Sequence, residues 1–208
     1  MAKQIEGVYE KLYECAVKEF MEKGFKDASL RVIAQEAGTS TGSIYTRFGD
    51  KEGLFRAIVQ PAADEVKAMF LSIQEAFHAL DADTQRQEMG SYAENEMEHL
   101  IDLLYDHFDA FRLLLDASYG TLYQNFVNEL VDIEVEYTYK FMQTVGIKSK
   151  RAGQLSQELL HMVMTAWLNG VFEVVRHEMP REDAKQYVRM LDEYHRAGFE
   201  RIFMDIGR

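Results

Sequence analysis

Apolar side chains recur every three or four residues along most of the chain, which is the spacing of amphipathic helices rather than of strands. Only two prolines, Pro61 and Pro180, interrupt the 208 residues. The pattern therefore predicts an all-α fold of about nine helices, with short helices near the N-terminus and longer ones after them. The predicted helices cover about residues 4–23, 30–37, 41–48, 51–78, 88–105, 107–118, 121–145, 150–178 and 182–205.

Two short helices joined at a glycine are predicted between residues 29 and 48. Ser29 is a favourable N-cap for the first, and Gly38 is placed to end it. Ser40 and the threonines beside it offer hydroxyl caps for the second, which turns Ile44 inward. This is helix-turn-helix geometry, and together with the helix before it the pair forms an N-terminal three-helix domain. The geometry alone leaves DNA binding and ordinary helical packing both open.

An ordered series of residues narrows that choice. It runs Gly24-Phe25, Ser29-Leu30, Ile33-Ala34, Ala37-Gly38, Gly42-Ser43-Ile44-Tyr45, Phe48, Lys51-Glu52 and Leu54-Phe55. This series resembles the tetracycline-repressor (TetR) family of bacterial transcription regulators. The resemblance covers roughly the first sixty residues. It implies a homodimeric repressor that a small molecule releases from a palindromic operator of double-stranded DNA.

The DNA-binding candidates lie on and around the second short helix. Small residues at its start allow close approach to the major groove, and hydroxyls and helix-end amides hold phosphates without much charge. By resemblance, Tyr45 contacts phosphate, Arg47 contacts a guanine edge or a phosphate, and Arg31 and Lys51 hold the backbone. The alternative is that these residues are solvated charges and helix caps. The full set is Arg31, Ser40, Thr41, Gly42, Ser43, Tyr45, Arg47 and Lys51.

Charge divides the chain into two parts. The formal net charge is −12, but residues 1–60 carry equal numbers of basic and acidic side chains, so all of the excess lies after them. The acidic remainder would be repelled by phosphate, which favours DNA contact through the N-terminal part alone. Cys15 is the single cysteine, and no apolar run reaches about eighteen residues, so we expect a cytoplasmic protein outside the membrane.

We expect a DNA-binding domain over residues 1–50 and a ligand-binding and dimerisation domain over residues 51–208, with the helix 51–78 connecting them. Pro61 should kink or end that helix, and a kink there is a candidate pivot.

A polar connection is predicted over residues 79–87. Thr121 and Gln124 form a predicted capping box at the start of a later helix.

The family's effector cavity lies among the middle helices, which are rich in aromatic and methionine side chains. Such side chains adapt to apolar ligands, although their ordinary role is core packing. The ligand-binding candidates are Phe111, Tyr119, Tyr123, Phe126, Met142, His161, Met164 and Trp167.

The last two helices carry apolar stripes. In the family these helices pack against their symmetry mates as a four-helix bundle, although the stripes would also serve to complete the core of one chain. The dimer-interface candidates are Leu159, Val163, Ala166, Gly170, Val188, Leu191, His195 and Ile202.

A metal-binding bundle is the alternative function. Glu96/His99 and Glu158/His161 are Glu-x-x-His pairs, and Glu134 or Glu136 would supply further carboxylates, as in di-iron bundles. Such pairs also arise by chance in an acidic helical chain, and they do not explain the helix-turn-helix series. We therefore expect no enzyme, no metal and no cofactor.

Overall fold

The computed structural model describes residues 2–146 and 157–203; within its helices, the side chains of residues 2–8, 91–96, 157 and 203 lie outside the description. The described residues form nine α-helices and a π-helical segment, Leu113–Ala117, and contain no strand, so the all-α prediction is confirmed. The α-helices are α1 Ala2–Asp27, α2 Leu30–Glu36, α3 Thr41–Phe48, α4 Lys51–His78, α5 Ala82–Asp106, α6 Phe108–Arg112, α7 Phe126–Thr144, α8 Gln157–Arg176 and α9 Arg181–Phe203.

The chain divides into two compact units. The N-terminal unit contains the residues up to Glu65 together with His107–Phe126, and the C-terminal unit contains Val66–Asp106 and the residues from Val127 onward. The boundary falls inside α4, and the segment 107–126 belongs with the N-terminal helices. The division at residue 50 was a prediction about function, and it stays a prediction.

The N-terminal unit is built around an aromatic core. Phe20 and Phe55 are fully buried and meet edge to face, with ring centroids 5.1 Å apart. The approach of α3 to α4 depends on Gly53, because a Cβ there would lie 1.8 Å from the carbonyl oxygen of Phe48. Only glycine fits at this position, so the short link between α3 and α4 is fixed by backbone contact.

Pro61 lies inside α4, which continues through it to His78, so the alternative that the helix ends there is wrong. A proline has no N–H to give to the carbonyl four residues earlier, here that of Ala57. The Tyr13 hydroxyl donates to this carbonyl oxygen at 2.6 Å. A side chain from α1 therefore supplies the hydrogen bond that Pro61 cannot make, and α4 tolerates the proline.

The predicted polar connection over residues 79–87 is wrong in length. The link between α4 and α5 covers only residues 79–81, because Asp81 caps α5. Its Oδ1 accepts hydrogen bonds from the backbone nitrogens of Asp83 and Thr84 at 3.0 and 3.1 Å. Polar residues after a capping aspartate are compatible with a first helical turn, so polarity alone misplaced this boundary.

The predicted capping box at Thr121 is also wrong, since α7 begins only at Phe126. The Thr121 hydroxyl donates to the carbonyl oxygen of Ser118 at 2.7 Å, and the Gln124 side chain accepts from the Gly120 nitrogen at 3.3 Å. Both polar groups are used by the turn that follows the π-helical segment, where Gly120 has a φ of 91°.

The C-terminal unit packs α9 against α5 and α8. A Cβ at Gly170 would lie 2.9 Å from a methyl of Leu191, so the small residue on α8 admits a large one on α9. Ion pairs join α5 to α9. Asp102 on α5 lies 2.7 Å from the Lys185 ammonium and 3.1 Å from the Arg181 guanidinium, both on α9. Thus α9 is held against α8 by close packing and against α5 by ion pairs.

Candidate functional site

The surface of α3 presents small polar side chains. Ile44 is fully buried, whereas Gly42, Ser43 and Tyr45 are exposed, with Tyr45 55% accessible. Ser40 is the N-cap, and its Oγ accepts from the Ser43 nitrogen at 3.1 Å. The start of this helix is therefore an exposed, uncrowded surface with its first turn already fixed.

Hydroxyl contacts organise this surface further. The Oγ atoms of Ser40 and Ser43 lie 2.9 Å apart, and the Thr46 hydroxyl donates to the Gly42 carbonyl oxygen at 2.8 Å. Thr41 is half-buried beside them. Thr46 is not among the predicted DNA-binding residues, although its position next to Tyr45 on the outward side of α3 was a usable signal.

The three predicted cations have different surroundings. The Arg47 guanidinium lies over the ring of Tyr9, 3.6 Å from its centroid, which places a second aromatic residue beside α3. Tyr9 was missed because it sits on α1, far away in sequence. Arg31 is exposed on α2.

Lys51 has a structural partner that its sequence position did not reveal. Its ammonium donates to the carbonyl oxygens of Lys26 and Ala28 at 2.8 and 3.0 Å, at the C-terminal end of α1. Two of its three N–H groups are thereby used within the unit. A role in holding phosphate stays a prediction, and any test of it needs a stability control.

The C-terminal unit encloses a cavity of about 210 Å³. Its wall is mostly aromatic and aliphatic, with Phe70, Phe77, Phe141 and Phe199 among the lining side chains. Of the predicted ligand-binding residues, Met164 and Trp167 line this cavity. Met142 packs instead against the neighbouring cluster of Phe77, Phe141 and Val145.

The other predicted ligand-binding residues are not part of this lining. Phe111, Tyr119, Tyr123 and Phe126 belong to the N-terminal unit, where Phe111 packs on Phe126 and Tyr119 stacks under Lys26. A role for them in ligand binding stays a prediction, because helical periodicity identifies an apolar face without identifying what covers it. His161 lies at a separate surface depression, 3.6 Å from Asp132.

Several polar groups interrupt the apolar wall of the cavity. Glu134 accepts a hydrogen bond from the Gln74 amide at 3.0 Å, and loss of hydration raises the pKa of its carboxyl to about 7. Part of the Glu134 surface is accessible because it borders the cavity. Burial also lowers the pKa values of His78 and His195, so both imidazoles favour the neutral form.

From the sequence alone, Glu134 is predicted only as a possible metal ligand. A better signal was present, because Glu134 lies on the same helical stripe as the buried Leu130 and Phe141. An acidic residue on the apolar stripe of a helix indicates either a buried partner or a ligand.

Several predicted dimer-interface residues are covered within the chain. Val188 is 2% accessible, Leu191 packs on Gly170, and His195 stacks on Trp167 with ring centroids 5.6 Å apart. The apolar face of α9 that the periodicity predicts is thus packed against other helices of the same unit. Leu159 and Val163 are half-buried, and Ala166 and Ile202 are exposed. The large apolar side chains most exposed on these two helices are Met162, Tyr187, Met190 and Tyr194.

The metal-binding alternative gains no support from the described residues. Within them, no three histidine, cysteine or acidic side chains converge as metal ligands, and the Glu96 side chain lies outside the description. Glu134 is bound to Gln74 rather than turned toward His161. No helix in the described part of the chain has the length and hydropathy to cross a membrane.

The capped α2–α3 pair, with the exposed polar surface of α3 opposite a buried apolar face, defines a helix-turn-helix domain. The profile of the bacterial regulatory proteins of the tetR family matches residues 12–58, which include both helices. Over these residues the chain is similar to the bacterial regulatory proteins of the tetR family.

Similar proteins agree with this assignment. Over 85 residues the chain is 33% identical to YvdT of Bacillus subtilis (strain 168), an uncharacterized HTH-type transcriptional regulator, covering 39% of this chain and 44% of that protein. Over 137 residues it is 23% identical to YfiR of the same organism, also an HTH-type transcriptional regulator, covering 64% and 62%. The chain thus spans less than half of the first relative and under two thirds of the second. Both are named as regulators rather than enzymes.

A solved structure has a similar fold over most of the chain. A TetR-family transcriptional regulator from Mesorhizobium loti MAFF303099 matches with a TM-score of 0.53 at 16% sequence identity. The match covers 91% of this chain and 95% of the other. At that identity the likeness establishes the architecture alone, and the sites must be argued from this chain's own residues.

Proposed function

We propose that the protein is a ligand-responsive transcriptional repressor that acts in the cytoplasm as a homodimer on a palindromic operator. The observation that carries the proposal is the surface of α3, where Gly42, Ser43 and Tyr45 are exposed opposite the buried Ile44. The N-terminal residues of a recognition helix are those that contact base edges in the major groove.

The chemistry of this surface favours DNA contact without a large positive charge. Hydroxyls, helix N-terminal amides and tyrosines all bind phosphate oxygens, which positions a protein on the duplex. Arg47 adds a guanidinium held over Tyr9, and this geometry suits a guanine edge or a phosphate. Thr41 and Ser43 are the proposed base contacts, and Arg31, Tyr45 and Lys51 the proposed phosphate contacts.

The proposal includes a dimer for a geometric reason. Helix-turn-helix proteins place two recognition helices in successive major-groove faces, and a two-fold axis makes the operator palindromic. On α8 and α9 we assign the dimer surface to Met162, Tyr187, Met190 and Tyr194, with Ala166 beside them, because large exposed apolar side chains mark association surfaces. Met190→Glu should give a monomer in analytical ultracentrifugation, and an unchanged dimer would exclude this surface.

The cavity is the proposed effector site. Gln74 and His78 line it from the last turns of α4, the same continuous helix that begins at Lys51. A ligand that prefers one arrangement of α4 would change operator affinity by its differential affinity for the two states. Pro61 remains the proposed pivot: if Pro61→Ala left operator affinity unchanged with and without effector, the pivot would be excluded.

A selection from random duplexes tests the function, followed by binding measurements on the enriched duplex. We expect Tyr45→Phe to weaken binding by about tenfold, since one phosphate hydrogen bond is lost. Tyr119→Phe is the matched control, because Tyr119 is also exposed in the N-terminal unit and loses the same atom. If the two variants bound the duplex with equal affinity, the proposed contact between Tyr45 and DNA would be excluded.

A further inference from the structure

The cavity of the C-terminal unit has an unusual distribution of charge on an apolar wall. Its ionisable lining residues are Glu134 and Tyr137 on α7, His78 on α4, and Asp192, His195 and Arg196 on α9. Asp192 and Arg196 both take part in interactions of their own. Glu134 is different, since the hydrogen bond it accepts comes from the neutral amide of Gln74.

The environment of Glu134 opposes its charge. Burial raises the pKa of its carboxyl to about 7, and the Gln74 hydrogen bond acts in the opposite direction without reversing the effect. A buried carboxylate without a cationic partner is costly, and proteins usually pair such a group or keep it protonated. A ligand that carries a positive charge would therefore stabilise the Glu134 carboxylate.

A second observation points to a ligand in the same cavity. The buried atoms His78 Nε2, Trp167 Nε1 and His195 Nε2 have no hydrogen-bond partner among the described residues. All three residues line the cavity, and Trp167 is 9% accessible. Buried polar atoms are normally satisfied, so three unsatisfied ones around one cavity indicate polar groups of a bound molecule or of water.

We propose that this cavity binds a small amphipathic cation whose protonated amine pairs with the Glu134 carboxylate and whose apolar body lies against Phe77 and Phe141. The inference rests on the effector site of the proposed function and adds the chemical class of the ligand. The cavity volume of about 210 Å³ suits a compact molecule. An acceptor group on it would meet the Trp167 indole N–H.

The experiment uses the whole 208-residue chain without DNA and reads the fluorescence of Trp167, which is the only tryptophan in the sequence. Three probes of matched shape are titrated at about pH 8: phenylbutylamine, phenylbutanol and phenylbutyrate. We expect the amine to bind about tenfold more tightly than the alcohol, and the carboxylate to bind most weakly, because Glu134 attracts the first and repels the last.

Matched variants localise the effect. Glu134→Gln keeps the shape and removes the charge, so the amine should lose its advantage over the alcohol. Glu136→Gln is the control, because Glu136 is an exposed acid on the same helix, paired with Lys140. Circular dichroism spectra should be the same for all three proteins.

Proton competition provides a test that needs no variant. Glu134 becomes charged from about pH 6.5 to about pH 8, because burial raises the pKa of its carboxyl to about 7. Burial lowers the pKa values of His78 and His195, so their imidazoles favour the neutral form over the same range. Amine affinity should therefore rise over this range, and alcohol affinity should stay constant.

The proposal is overturned if phenylbutyrate or the alcohol binds as tightly as the amine, if Glu134→Gln keeps the preference, or if millimolar amine gives no saturable change. These outcomes are independent of the duplex selection. If the protein enriches a palindrome but does not prefer the amine, only the proposed ligand class is overturned. If it binds the amine but no DNA, the proposed regulator function is overturned.

Discussion

The two units treat their buried and half-buried polar groups in opposite ways. In the N-terminal unit, Tyr13 supplies the donor that Pro61 lacks, and Lys51 satisfies two carbonyls at the end of α1. In the C-terminal unit, by contrast, the Glu134 carboxylate has a neutral partner, and buried nitrogens of Trp167 and His195 have none among the described residues. Polar groups whose hydrogen bonds are made within the unit hold its surface in one geometry. Polar groups that lack such bonds around a cavity are stabilised when a ligand supplies them. This difference supports the proposed roles, a fixed surface for DNA contact in one unit and a ligand-responsive cavity in the other.

The largest expected effect tests the rigidity of the N-terminal unit. Gly53→Ala should destabilise the protein by roughly 3 kcal/mol or more, because the new Cβ would overlap the Phe48 carbonyl and the backbone would have to move. Gly42→Ala is the control, since its Cβ would lie 3.6 Å from Ser40 Oγ. Urea unfolding measures both variants, and equal stabilities would contradict the close contact between α3 and α4.

The next effect tests the unsatisfied carboxyl of the C-terminal unit. The pKa of Glu134 is raised in the folded protein from 4.5 to about 7, so the folded state binds the proton more tightly. Its penalty is absent below about pH 4.5, grows as pH rises, and is complete above about pH 7. Glu134→Gln should therefore gain stability over the wild type with rising pH, by roughly 3 kcal/mol at most. A wild-type-to-variant difference that does not change between pH 4.5 and pH 8 would contradict the burial of this charge.

A smaller effect tests the satisfied groups of the N-terminal unit. Tyr13→Phe should cost about 1–2 kcal/mol, because it leaves the Ala57 carbonyl without its donor. Burial raises the pKa of Tyr13, so the hydroxyl remains a donor at neutral pH. In the Pro61→Ala background the restored backbone N–H takes over, and the same substitution should cost clearly less. A double-mutant cycle by urea unfolding measures this coupling, and strict additivity would refute it.

The smallest effect concerns the surface that the N-terminal unit presents. Tyr9→Leu should leave folding nearly unchanged and reduce operator affinity by a few-fold, because Arg47 would lose the ring that holds it. Fluorescence anisotropy with a labelled duplex measures the change. If Arg47→Ala weakened binding and Tyr9→Leu did not, the stacking would have no role in positioning the guanidinium.

The sequence predicted local features well because they depend on neighbouring residues. Ser29 and Ser40 cap α2 and α3 as expected, and their side chains accept from the nitrogens of Val32 and Ser43. The capping box at Thr121 failed because the hydroxyl is used by a turn that follows a π-helical segment, which periodicity does not indicate.

Longer-range features could not be predicted in the same way. Val188 and Leu191 were assigned to an apolar face of α9, but periodicity does not show that α8 and α5 cover that face. The segment 107–126 joins the N-terminal unit through contacts distant in sequence. The partnership of Tyr13 with the Pro61 turn spans 44 residues and likewise required the folded structure.

The most direct test of the central claim, that α3 presents a DNA-binding surface, is a selection from random DNA duplexes with the wild-type protein. Enrichment of one palindrome, bound with an affinity that falls steeply as salt increases, is the predicted result. A selection that enriches no palindrome after repeated rounds would contradict the account, whatever the cavity binds.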